Sequence, residues 1–267
     1  MNLRRSCAWM PWMASALLCA AAPAWAQSDF YRRSLPPGTE AGGVAGAAVL
    51  LGRAYPGSDE SRQRVLPSLE YQWANGWFAG VQSGVGYNAS RQADMAYGLR
   101  LTADFGREEK RSAVLKGLGD VEARPQVGAF FNASPVRGLT LLSALRYGSG
   151  NDRDGLLVDV GASTGWPLSP SWRLGAQLAA TWANAAHQQA YFGVDAAQSV
   201  TSGLATYRPG AGLQNVRASA TLVYSVAPQW IVSAGLTHTE LQGDARRSPL
   251  VRETGSTTGL LTVGRRF

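Results

Sequence analysis

Between Leu156 and Trp182 the chain reads LLVDVGASTGWPLSPSWRLGAQLAATW. Every second residue before the turn is mainly apolar: Leu156, Val158, Val160, Ala162, Thr164, Trp166. After it the same holds for Trp172, Leu174, Ala176, Leu178, Ala180 and Trp182. The residues between are small or polar, among them Asp159, Gly161, Ser163, Arg173, Gly175, Gln177 and Thr181. Side chains change face at every residue of a strand, so each strand has one apolar face and one small, wet face. Pro167 to Ser171 breaks the alternation and supplies a turn. This is a β-hairpin, and the rest of the chain repeats it.

The same alternation runs through Arg64 to Trp73, Met95 to Phe105, Gln126 to Ala133, Leu139 to Tyr147, Val216 to Ser225, Trp230 to Leu241 and Thr257 to Phe267. Gly42 to Gly52 and Trp77 to Tyr87 add two further strands. Short turns fall at 74–76, 134–138, 167–171 and 226–229, and longer polar connections at 53–63, 88–94, 148–155, 183–215 and 242–256. Alternating short and long connections are the habit of outer-membrane barrels, with short turns periplasmic and long loops outside. Strands of about ten residues are long enough to cross a bilayer at a tilt, and closure removes the edges that lipid cannot satisfy. A secreted β-sandwich would need two apolar faces meeting in a core, whereas here the second face carries Gly, Arg, Asp, Gln and Thr. The expectation is an all-β, antiparallel transmembrane β-barrel. Eleven strands are clear, and an even number is required. Either a weak strand hides around Ser112 to Leu118 or one of the eleven is assigned wrongly; twelve strands are expected, with ten as the alternative.

The N-terminus reads as a cleaved signal peptide over residues 1–26. Arg4 and Arg5 precede an apolar stretch, and Ala24-Trp25-Ala26 has the small-x-small form of a cleavage site. Residues 27–41 are then a periplasmic lead-in and 42–267 the barrel. Both cysteines, Cys7 and Cys19, lie in the segment removed, which excludes a disulfide scaffold and thiol chemistry. The formal charge is +7, or +5 without Arg4 and Arg5. In an exported chain that surplus points to outer-membrane lipid and lipopolysaccharide, or to acidic cell-wall polymers, as neighbours, not nucleic acid. The expected location is the outer membrane of a Gram-negative cell.

Parity places Glu70, Arg100, Asp104, Arg146, Asp159, Arg173, Arg217 and Arg266 toward the lumen. They read either as ion pairs that fix the interior or as the wall of a selective, narrow channel. Trp73, Trp77, Trp166, Trp172, Trp182, Trp230 and Phe267 read as interface aromatics. Phe267 also ends the last strand, the segment a barrel-assembly machinery would engage. No catalytic constellation, cofactor site or metal site is evident. The mature histidines are His187, in the longest loop, and His238, near the outer rim. The loop Ala183 to Asn215 carries His187, Tyr191, Phe192 and Tyr207, and a loop of that length is functional or disordered.

Several stretches resemble the MipA/OmpV family. They are Tyr55-Pro56-Gly57-Ser58-Asp59, Gly117-Leu118-Gly119-Asp120-Val121, and Trp166 through Leu174. Thr181-Trp182-Ala183-Asn184, Tyr191-Phe192-Gly193-Val194 and Ser248-Pro249-Leu250-Val251 belong with them. The resemblance implies an outer-membrane barrel without agreed catalytic residues. It also implies a scaffold joining a murein-degrading lytic transglycosylase to a murein synthase. Porin-like members of the family imply a small-solute channel as the alternative; an outer-membrane hydrolase is the third reading.

Overall fold

The computed structural model describes residues 41–267. The expected signal peptide and nearly all of the expected lead-in lie outside the described residues. Twelve antiparallel strands close into one ring in which each strand pairs with its sequence neighbours and β1 with β12. They are β1 (Gly42–Arg53), β2 (Ser61–Gln72), β3 (Trp77–Gly80), β4 (Gly84–Asn88), β5 (Met95–Asp104) and β6 (Arg124–Val136). β7 (Leu139–Ser149), β8 (Gly155–Pro167), β9 (Trp172–Ala183), β10 (Gly212–Ala227), β11 (Trp230–Leu241) and β12 (Gly255–Arg266) complete it. No helix among the described residues is long and apolar enough to cross a membrane.

The alternation sets the inside and the outside. On β8 and β9, Val160 and Leu178 are exposed on the outer face while Ser163 and Thr181 are buried within. The ring closes tightly at Gly46, where a Cβ would stand 1.9 Å from the Val263 carbonyl oxygen. Only glycine lets β1 approach β12 there.

The count of twelve agrees with expectation, but the last strand arises elsewhere than expected. Ser112 to Leu118 is not a strand. The connection there holds two 3-10 turns, Glu109–Arg111 and Ala113–Leu115, and a bridge between Arg107 and Val121. Instead, Trp77 to Tyr87 is two short strands, β3 and β4, turning at Val81 to Ser83. Connection 89–94 therefore lies at the short-turn end, and 105–123 joins the long loops at the other. Three helices occupy those loops: α1 (Ala185–Phe192), α2 (Ala196–Ser202) and α3 (Gly243–Arg247).

Candidate functional site: a capped lumen

The long loops pack into a lid with its own apolar core. Ala54 and Tyr55 come from the first loop, Leu115 and Leu118 from the β5–β6 loop, Val194 from the β9–β10 loop and Leu250 from the last. Polar bonds join the same loops. The Tyr55 hydroxyl donates to the Leu250 carbonyl at 2.9 Å, Gln198 Nε2 to the Leu118 carbonyl at 2.7 Å, and Ser248 Oγ to the Phe192 carbonyl at 2.6 Å. Asn184 starts α1 by accepting from the His187 amide at 3.0 Å, while its Oδ1 also accepts from the Leu156 amide at 3.0 Å.

α1 lies across the mouth of the ring. Tyr191 donates to Asp104 on β5, and Arg107 Nη1 donates to the Tyr191 carbonyl at 3.0 Å. His187 Nδ1 meets Ser149 Oγ at 2.7 Å, and its Nε2 meets Gln214 Nε2 at 3.2 Å. His187 is buried, and burial with the nearby Arg146 charge holds its pKa down at about 3, so the ring is neutral. Burial and the Asp104 carboxylate push the Tyr191 hydroxyl upward. The Ser149–His187 contact is not an accessible nucleophile, because Ser149 is 0 % exposed. An amide, not a carboxylate, faces the second ring nitrogen.

Beneath the lid sits a charge cluster. Asp159 Oδ2 accepts from Arg146 Nε at 3.1 Å and Nη2 at 2.8 Å. Its Oδ1 accepts from Thr181 Oγ1 at 2.6 Å and Arg217 Nη2 at 3.2 Å. Arg146 reaches Gln126 Oε1 at 3.4 Å, and Arg217 reaches Thr181 Oγ1 at 2.8 Å and Asn215 Oδ1 at 3.1 Å. Two guanidiniums share one carboxylate, so the cluster keeps a net positive charge.

Below the cluster a cavity opens toward the short-turn end. Glu70, Arg100, Asp159 and Arg217 line it together with Phe78, Phe130, Leu142 and Gln177. Glu70 accepts from the Gln82 amide at 2.8 Å, the Ser83 amide at 3.2 Å and the Ser83 hydroxyl. Arg100 lies 5.9 Å from the Phe130 ring centre.

Of the eight lumenal charges, Arg146, Asp159 and Arg217 come together, and Glu70 and Arg100 share their cavity. Asp104 stands at the lid, bound by Tyr191 and by the Gly150 amide at 3.3 Å. Arg173 and Arg266 lie near the short-turn end, where Arg266 donates to Ser225 Oγ at 3.3 Å. The seven interface aromatics are all exposed. Six lie at the short-turn end and Trp182 at the other. Tyr residues that parity alone does not single out extend them: Trp172 stacks on Tyr224 at 4.4 Å, Trp77 meets Tyr87 at 5.5 Å, and Phe267 stacks on Tyr71 at 5.7 Å. His238 points outward beside Thr257, with Nδ1 and Oγ1 3.0 Å apart. Arg107, Gln126, Ser149 and Gln214 complete the lid and the cluster. Their importance comes from partners far away in sequence, so no local pattern marks them.

Comparison with known proteins gives one family. The family described as MltA-interacting protein MipA matches residues 45–267. No curated protein matches the chain. Among solved structures it is similar to the NanC porin, at 12% identity over 82% of this chain and 98% of that one, with a TM-score of 0.48. The translocator domain of the autotransporter NalP from Neisseria meningitidis gives 15% identity, 92% and 100% coverage and a TM-score of 0.45. An outer membrane channel from Pseudomonas putida F1 gives 12%, 87% and 100%, and 0.41.

Proposed function

The chain belongs to the MltA-interacting protein MipA family, and from that membership we propose that this outer-membrane barrel is a non-conducting scaffold for murein-remodelling enzymes. The lid carries this reading. α1 spans the mouth from β5 to β10, and the loop core of Tyr55, Leu115, Val194 and Leu250 fills the space above it. A bore packed at one end argues against free flux and leaves the outer surface and the open end as the surfaces a partner can reach. The partners of this reading are a lytic transglycosylase and a murein synthase, held at the short-turn, periplasmic side. Pull-down of the folded barrel from detergent extract should recover a murein enzyme. Recovery of none, with the barrel still folded, argues against the scaffold.

The open cavity favours a second reading, a small-solute channel whose lid moves. Planar-bilayer recording separates the two, since steady conductance of the unmodified protein belongs to the channel alone.

A further inference from the structure

The β3–β4 hairpin stops partway up the wall. β2 keeps its ladder with β1 along its whole length, from Ser61 to Gln72. It meets β3 only from Glu70 to Gln72, with one more bond from the Val81 amide to the Leu69 carbonyl at 2.9 Å. β4 pairs with β5 only from Gly98 to Leu101. Above this level, among the described residues, no ladder joins β2 to β5. The hydrogen-bonded wall is therefore interrupted there, a window in the backbone ladder along which the inward side chains of Ser68 and Thr102 are buried. Its floor is the hairpin tip at Val81 to Ser83, and its sides are Ser61 to Ser68 and Thr102 to Arg107. Its roof is the hydrogen bond from Ser112 Oγ to Glu60 Oε1, 2.8 Å long.

The window lies at membrane depth. Val65 beside it is 70% exposed on the outer face, and Leu99 and Leu101 face outward on β5. Backbone groups of alternate residues point to the same side of an antiparallel strand. The Leu69 carbonyl points to Val81, so Pro67, Val65 and Gln63 also aim at the window. Pro67 brings no N–H to that edge, as suits a strand left open on one side. Backbone of this kind is tolerated in a bilayer only where it borders protein or a water-filled space. The lumenal cavity supplies that space, for it reaches the hairpin's inner face at Phe78 and its tip at Ser83. Glu70 pins the tip from within, and Gly80 makes room for its carboxylate: a Cβ there would lie 2.0 Å from Oε2.

We propose that this window is a lateral port for a single-tailed amphiphile. The polar head sits in the cavity among Glu70, Arg100, Asp159 and Arg217, and the tail passes between β2 and β5 into the bilayer. Both ends of the path fix this chemistry. The cavity wall combines two arginines and two carboxylates with Phe78 and Phe130, and the window opens on hydrocarbon. The lid closes the third direction, so the path turns sideways. The port does not depend on the scaffold reading.

The full-length protein in lipid nanodiscs is illuminated with a lysophosphatidylcholine that carries a diazirine on its head, and the adducts are located by peptide mass spectrometry. The port requires adducts on the cavity-lining Phe78, Phe130 or Ser83. Adducts confined to outward-facing residues overturn it. A second arm uses Val65→Cys, modified after folding with a bulky maleimide. Leu51→Cys is the control, outward-facing on β1 and paired on both sides. Blocking position 65 should abolish the inward adducts and blocking position 51 should leave them. Inward adducts that survive the block at position 65 mean entry through the short-turn mouth, which also overturns the port.

Discussion

Arg146 on β7 grips Asp159 on β8 with two hydrogen bonds to the same oxygen, from Nε at 3.1 Å and from Nη2 at 2.8 Å. Arg217 holds the other oxygen from the far side, at 3.2 Å. Both guanidiniums are buried, at 4 % and 6 % exposure. Asp159→Asn keeps the shape but leaves two like charges buried without a counter-ion, which costs about 3–5 kcal/mol. Urea unfolding in detergent should show a loss of that size. The pair Asp159→Asn with Arg217→Met removes one of the stranded charges and should recover part of it. A double variant no more stable than the single one would mean that the cluster is not held by charge.

The lid should loosen in acid. His187 is held neutral in the folded lid, with its pKa lowered to about 3, while an unfolded histidine titrates near 6.5. The unfolded lid thus binds the extra proton first. No cost is present above about pH 6.5; stability falls as pH drops below that value, and the loss levels off below about 3. Limited proteolysis of the β9–β10 loop should accelerate between pH 7 and pH 4. In His187→Gln that acceleration should shrink. An unchanged pH profile in the variant would assign the effect to another group.

Much of the ring was legible because a strand's period of two survives any tertiary context. β8 and β9 could be read at once, since Asp159, Ser163, Gln177 and Thr181 fall on the face opposite Val160 and Leu178. The β3–β4 turn was hidden for the same reason. Odd-numbered residues face outward on both short strands, as Trp77, Val81, Val85 and Tyr87 show, so the parity runs through the turn unbroken. Gly84, at a φ of 75° against the Leu101 carbonyl, was the available signal of a turn. The lid was legible only as a long loop with aromatics. Its closure rests on pairs such as Arg107 with Tyr191 and Tyr55 with Leu250, which are brought together by the ring and by nothing local.

The hairpin tip should depend on one glycine. Glu70 lies over Gly80 and accepts from the Gln82 and Ser83 amides. Gly80→Val drives a side chain into that carboxylate and releases both amides. Hydrogen exchange at Gln82 and Ser83 should rise sharply, while β8 and β9 stay protected. Glu70→Gln, which fits the same space and still accepts through its carbonyl oxygen, should give a smaller rise. Equal effects from the two variants would show that the tip is held by something other than this carboxylate.

Removing the β9–β10 part of the lid should turn a silent barrel into a conductor. Replacing residues 185–207 by a short Gly-Ser linker deletes α1, α2, Val194 and Tyr207 but touches no ladder of the ring. It leaves Arg146, Arg217 and Asp159 as the narrowest charged belt, two cations to one anion. Charged rings set the sign of the ion that passes, so the open form should prefer chloride over potassium. Reversal potentials across a salt gradient in planar bilayers read this directly. The unmodified protein should show no steady current, and the deletion variant a steady, anion-selective current that Arg217→Gln weakens in selectivity. A barrel that stays silent without this loop would place the block in the remaining long loops or in the cluster below α1; steady current through the unmodified protein would remove the lid as a seal.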